Sequence, residues 1–248
     1  METTAVATQT KWWSGGRSPF NAEYGKVMMW YFLMSDAFTF GAFLISYGTI
    51  RFATNFWPSP TVVFNAFPGL GHTNLPLAFV SVMTFILILS SVTMVLAVHA
   101  GHHGDRKGVI KWLAWTIVGG LAFLSCQAWE WTHLITGAHP VLVNGKIEEW
   151  GQTVAVNPWG PEVQGLLHDG HLVRTPGPVA FGGFFYGITG FHGFHVFSGV
   201  IINIIMLIMA YKGVFDRKGH YLMIEIAGLY WHFVDLVWVF VFLCFYLI

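Results

Sequence analysis

Residues 179–211 read VAFGGFFYGITGFHGFHVFSGVIINIIMLIMAY, a run from Val179 to Tyr211 without one Lys, Arg, Asp or Glu. At about 1.5 Å per helical residue this run exceeds a hydrocarbon core about 30 Å thick. Four further apolar stretches flank it: Val27–Ile50, Leu77–Val98, Val109–Ile135 and Tyr221–Ile248. Each is long enough for a transmembrane helix, and the last three of the five are long enough to tilt or to project. A β-barrel would instead show many alternating segments of about ten residues, and the chain has none. The spacing therefore predicts an all-α integral membrane fold of five transmembrane helices.

Composition agrees. Of 248 residues, 55% are hydrophobic and 10% charged, with a mean hydropathy of +0.59, whereas a soluble domain is about 25% charged. Lys+Arg and Asp+Glu both number 12, so no basic excess supports nucleic-acid binding. Cys126 and Cys244 stand alone in separate apolar runs. That excludes a disulfide framework, a structural zinc site and a cysteine-ligated iron–sulfur cluster.

The basic residues predict the orientation. Lys11, Arg17 and Lys26 precede the first span. Arg106, Lys107 and Lys111 lie between spans two and three, and Lys212, Arg217 and Lys218 between four and five; the other side has Arg51, Lys146 and Arg174. The positive-inside rule then puts the N-terminus in the cytoplasm and the C-terminus outside. Residues 1–26 lack the apolar core of a signal peptide and are expected to remain as a cytoplasmic segment before a five-helix domain, 27–248. The inner connections are short. The outer connection Thr136–Pro178 is long and rich in Gly, Pro and Trp, and Val141–Trp150 with Thr153–Trp159 suggests a hairpin turned at Asn144-Gly145.

Lys and Arg are confined to the span ends, yet Asp36, Glu130, Glu225 and Asp235 fall inside spans. Each carboxylate at mid-bilayer costs roughly 2.5–3.5 kcal/mol on insertion scales, so each should serve a purpose. Asp36, Asp235, His192, His195 and His232 fall near the midplane, Glu225 toward the cytoplasmic side and Glu130 toward the outer side. Glu225, Gly228, His232 and Asp235 share one face of the last helix; His192, His195 and Gly199 make a stripe on the fourth, beside Gly183, Gly187 and Gly190. These stripes predict close packing of the last two helices, with imidazoles bonded to carboxylates across the contact.

Four readings of these groups compete. A haem site would need His232 or His133 opposite His192 and His195, since two histidines three apart lie on one face at one height. His99, His102 and His103 make a metal site by count and a polar interfacial turn by position. A proton-coupled transporter would use Asp36, His232 and Asp235 as a relay, although no halves repeat and no span is broken by Pro at mid-depth. The fourth reading is structural: the polar groups hold together an accessory subunit whose chemistry lies elsewhere.

Thr189-Gly190-Phe191-His192-Gly193-Phe194-His195-Val196 resembles a TGFHGxHV motif. Glu225 with Tyr230-Trp231-His232-Phe233-Val234-Asp235-Leu236-Val237-Trp238 resembles an E-x4-YWHFVDxVW helix. Gln127-Ala128-Trp129-Glu130, Ser35-Asp36 with Phe40-Gly41, and Gly104-Asp105-Arg106 match the same pattern in order. Together they resemble subunit III of the haem–copper cytochrome c and quinol oxidases, from about Val27 to the C-terminus. The resemblance implies a chain without its own catalytic centre or redox cofactor. It implies packing against the catalytic subunit I, which holds the haems and copper, in a bacterial cytoplasmic membrane, with bound phospholipid and support of proton uptake and stability. Asp36 stands where the family normally has Glu. Many members have two further helices, and most have a short connection in place of 136–178; that loop is expected to dock an extra partner on the outer face.

Overall fold

A computed structural model of the chain describes residues 23–54, 64, 77–136, 140–143, 146–149, 167–168, 171–174 and 179–247. Five helices are long and apolar enough to cross a membrane: α1 (Tyr24–Ala53), α2 (Ala78–His102), α3 (Arg106–Thr136), α4 (Val179–Tyr211) and α6 (Leu222–Phe242), the last extended by a π-helical turn, Leu243–Leu247. A short α5 (Val214–Lys218) joins α4 to α6. The chain is thus an all-α, multi-pass membrane protein, as the apolar runs predict.

The first three helices outrun their apolar stretches. α1 starts ahead of Val27 and so takes Lys26 into its first turn, and α2 continues past Val98 through His99 and His102. α2 ends in a Schellman turn. Gly104, at φ +69°, donates its N–H to Gly101 O, and Asp105 donates to Ala100 O. Glycine fits this left-handed position without a Cβ clash.

α2 packs along α3, and α3 along α4; α6 touches α2, α4 and α1. The last helix is therefore the hub, burying Ile224, Ala227, Trp231, Val234, Trp238 and Val241. α1 is peripheral. It buries one narrow stripe, Leu33, Asp36, Phe40 and Tyr47, against α4 and α6, while Trp30, Tyr31, Phe38 and Ile45 stay exposed.

The closest helix approaches are not where the glycine pattern of α4 suggests. A Cβ on Gly183 or Gly187 would meet nothing within 4 Å. One on Gly120 of α3 would lie 2.6 Å from Trp231 and 2.7 Å from Val200, and one on Gly119 would lie 2.6 Å from Ser90. The indole of Trp231 fills a notch between Gly120 and Gly199, so a large ring has replaced mutual close contact of small residues. Gly190 faces Trp131 on α3 rather than α6.

The ends are tied by charge. Arg106, opening α3, donates from Nε to Ala210 O at 2.9 Å, donates also to Tyr211 O, and pairs with Asp216. A guanidinium thereby satisfies carbonyls that the end of α4 leaves without helical partners. At the opposite end Arg51 donates to Cys244 O at 3.4 Å. Hydroxyls within spans bond back to their own helices, as Thr116 does to Trp112 O and Thr189 to Phe185 O, which keeps them satisfied in an apolar setting.

Between α3 and α4, β1 (Pro140–Val143) pairs antiparallel with β2 (Lys146–Glu149), Val143 opposite Lys146. The turn expected at Asn144-Gly145 lies between these strands but outside the described residues. β3 (Leu167–His168) and β4 (His171–Arg174) complete a sheet of order β2-β1-β4-β3. The second hairpin arm suggested at Thr153–Trp159 lies outside the described residues.

Candidate functional site

The candidate site is the set of polar side chains inside the helix bundle. Asp36 on α1 faces His195 on α4, Oδ2 to Nε2 at 3.2 Å, both side chains being nearly buried. The approach is misaligned, leaving Asp36 Oδ2 without a hydrogen bond. His195 Nδ1 lies 2.8 Å from Phe191 O. A carbonyl only accepts, so Nδ1 bears its hydrogen. Phe40 and Phe191 wall the pair, ring to ring with His195 at 5.6 and 4.6 Å. Beside it, Tyr230 Oη and Ser198 Oγ lie 2.7 Å apart.

The expected imidazole–carboxylate contact between the last two helices is not formed. His195 turns to α1, and His232 turns to α2, where its Nδ1 is 2.7 Å from Ser91 Oγ. Asp235 Oδ1 is buried without a hydrogen-bond partner. α2 instead supplies a ladder of hydroxyls to α6: Trp231 Nε1 donates to Ser90 Oγ at 3.2 Å and Trp238 Nε1 to Thr84 Oγ1 at 3.0 Å. Antiparallel helices explain the order, since rising along α6 means descending along α2.

His192 is fully buried, edge-on to Phe123 at 5.8 Å and over Trp238 at 5.1 Å, with neither ring nitrogen hydrogen-bonded. Glu130 is buried at the far end of α3, its two oxygens each 3.1 Å from the Tyr246 hydroxyl on the π-helical turn. One O–H serves both oxygens, so the donation is shared.

Glu225 corrects the expectation that the span carboxylates have no Lys or Arg beside them. It pairs with Lys26 of α1 and, at 2.6 Å, with His102 of α2. The histidine turn is thus both interfacial and engaged. Among the described residues no three His, Cys, Asp or Glu side chains converge as a metal ion would require.

Gln127, Ser91, Tyr246 and Lys26 were not expected as members of this set. Gln127 is buried on α3 and donates from Nε2 to Thr189 O at 2.6 Å, beside Gly193, whose missing Cβ would lie 2.9 Å from its Oε1. A long amide inside an apolar span was the available signal.

The model of the family described as cytochrome c oxidase subunit III matches residues 175–248. Across nearly the whole chain, the quinol oxidase subunit 3 of Bacillus spizizenii is 30% identical over 233 residues, 92% of this chain and 90% of that one. The chain belongs to the oxidase subunit III family. The cytochrome c oxidase subunit 3 of Corynebacterium diphtheriae is 32% identical over 180 residues, 73% of this chain and 69% of the relative. The cytochrome bo(3) ubiquinol oxidase subunit 3 of Pseudomonas putida is 29% identical over 219 residues, covering 88% and 83%. In this subunit III chain the family match covers α4 and α6, which hold His192, His195, Glu225, His232 and Asp235. Asp36 and Glu130 lie in the part reached by the relatives.

Proposed function

We propose that the chain is a non-catalytic core subunit of a terminal haem–copper oxidase in a bacterial cytoplasmic membrane. It packs against the catalytic subunit I, which supplies the haems and copper for oxygen reduction to water. The observation that carries this reading is the similarity to an oxidase subunit 3 over nine-tenths of both chains. The geometry supports it. Asp36, Glu130, His195, Glu225 and His232 each approach a partner in a neighbouring helix, the use expected of groups that hold a bundle together. On this reading the chain binds phospholipid and supports proton uptake by the catalytic subunit. The nine basic residues named above face the cytoplasm with the N-terminus, the C-terminus faces out, and the loop 136–178 docks an outer partner.

The test is affinity purification of the tagged chain from its native membrane. A large polytopic haem–copper subunit should co-purify at equal stoichiometry. A Soret band in the chain purified alone, or proton flux through the chain reconstituted alone and lost in Asp235→Asn, would overturn the assignment.

A further inference from the structure

A small cavity lies against Glu130, where the end of α3 meets the start of α2. Phe79 and Val80 of α2 and Leu134 of α3 wall it, and Glu130 and His133 line it with them. Its volume is about 10 Å³, the size that admits one water molecule. A buried water needs two or more polar partners, and the carboxyl and the imidazole are two. The Tyr246 hydroxyl gives one hydrogen to Glu130, shared between oxygens at 3.1 Å each, so the carboxyl group keeps lone pairs free to accept.

The two polar side chains differ in exposure. Glu130 is buried, whereas His133, one turn nearer the end of α3, is exposed. The His133 ring lies flat on Trp129, with centroids 5.3 Å apart and planes 4° apart. So held, it reaches both the cavity and the surface, and an imidazole can take a proton on one nitrogen and release one from the other. The other titratable groups around Glu130 are Cys126, one turn back on α3, Tyr186 on α4 and Tyr246 on the π-helical turn. Arg51 of α1 donates to Cys244 O of that same turn, and α2 presents Phe79 and Val80, neither of which titrates. Phenols and thiols ordinarily hold a proton more tightly than an imidazole does, which leaves His133 as the group suited to pass one.

We propose that this cavity holds one water molecule and makes Glu130 a proton-binding site in exchange with the aqueous phase on the face where α3 ends. A proton taken up on His133 passes to the water, and the water gives one of its own to Glu130. One O–H bond of the water breaks as another forms, so the water is regenerated and the carboxylate becomes a neutral carboxyl. Release reverses the steps. Tyr246 is a positioning residue, holding the carboxyl group without transferring a proton. The inference goes beyond the oxidase-subunit reading and requires only that three crossings put the end of α3 on the face opposite the N-terminus. It is also separate from support of proton uptake by the catalytic subunit, because the proton here binds this chain's own carboxyl.

The test uses the full chain, purified with its partners through an N-terminal tag and reconstituted into sealed vesicles. A tag resin sorts the vesicles by whether the N-terminus faces out or in. The infrared carboxyl stretch that Glu130→Gln removes reports the proton on Glu130. With the N-terminus inside, raising the external pH should abolish that band; with the N-terminus outside, the same step should leave it. His133→Ala should slow the loss roughly 10²-fold, the lower end for a positioned proton-transfer group. Val80→Leu extends a side chain into the cavity and should slow it likewise, whereas Tyr246→Phe should shift the band and leave the rate. His133 is exposed, so His133→Ala keeps the test decisive even where Val80→Leu fails to fold. A band that follows the pH on the N-terminal face, a band that no pH step moves, or an unchanged rate in His133→Ala would overturn the proposal. Co-purification reads the assembly separately, so failure of the proton site is distinguishable from failure of the oxidase-subunit reading.

Discussion

Asp36 and His195 stand 3.2 Å apart across the contact of α1 with α4, close enough to attract yet misaligned for a hydrogen bond. Because α1 buries so narrow a stripe, this pair is a substantial part of what fastens it to the bundle. Asp36→Leu should lower stability by about 0.5–2 kcal/mol, the range for interhelical polar contacts in membranes. His195→Phe added to Asp36→Leu should cost little more, a coupling readable in a double-mutant cycle of unfolding in detergent. Asp36→Glu, one methylene longer, should align the contact and raise the melting temperature.

The glycines of α3 and α4 should behave oppositely. Gly120→Ala sets a methyl against Trp231 and Val200 and should destabilise by about 1–3 kcal/mol, the usual cost of overpacking. Gly183→Ala enters open space and should gain about 0.5–1 kcal/mol of helix propensity. Thermal unfolding of both variants measures the difference, and equal effects would refute the packing described for Trp231.

Tyr246→Phe keeps the ring and removes the donor shared by both oxygens of Glu130. A buried carboxyl left without its hydrogen bond costs about 1–3 kcal/mol. The variant should unfold earlier, and Glu130→Leu in the same background should restore part of the loss by removing the stranded group.

Lys26→Met should be milder. The Lys26–Glu225 pair is partly exposed and keeps His102 as a second partner; exposed pairs contribute about 0.2–1 kcal/mol. Its melting point should fall less than that of Asp36→Leu, and the effect should shrink as salt is raised.

Arg106→Ala should loosen the α4–α5 turn by freeing the carbonyls of Ala210 and Tyr211, and Arg106→Lys should restore only part of that, because an ammonium lacks the guanidinium fork. Limited proteolysis of 212–220 reads both.

The five helices were legible because lipid demands a long apolar run for each crossing, and a run is a property of sequence alone. The polar residues were legible for the same reason: Asp36, His195 and His232 stand out against an apolar background. Their partners were not. Which helix a side chain faces depends on the rotation of both helices, and here that rotation follows from Trp231 wedged at Gly120 and Gly199, not from the open Gly183 and Gly187. His195 accordingly meets α1, and Asp235 meets no imidazole. Lys26 was hidden differently: α1 begins before its apolar stretch, so a residue that reads as loop forms a helical turn over Glu225.

The thin attachment of α1 has a consequence for biogenesis. This helix leaves the ribosome before α2–α6, but the histidine that faces its carboxylate follows about 160 residues later, roughly 8–30 s at bacterial synthesis rates. During that interval Asp36 must remain protonated, find water or lean on the insertion machinery. α2 and α3 can join as they appear, whereas the contacts of α1 are with α4 and α6, which come later. Of these helices, α1 is thus made before α2 and α3 but placed after them.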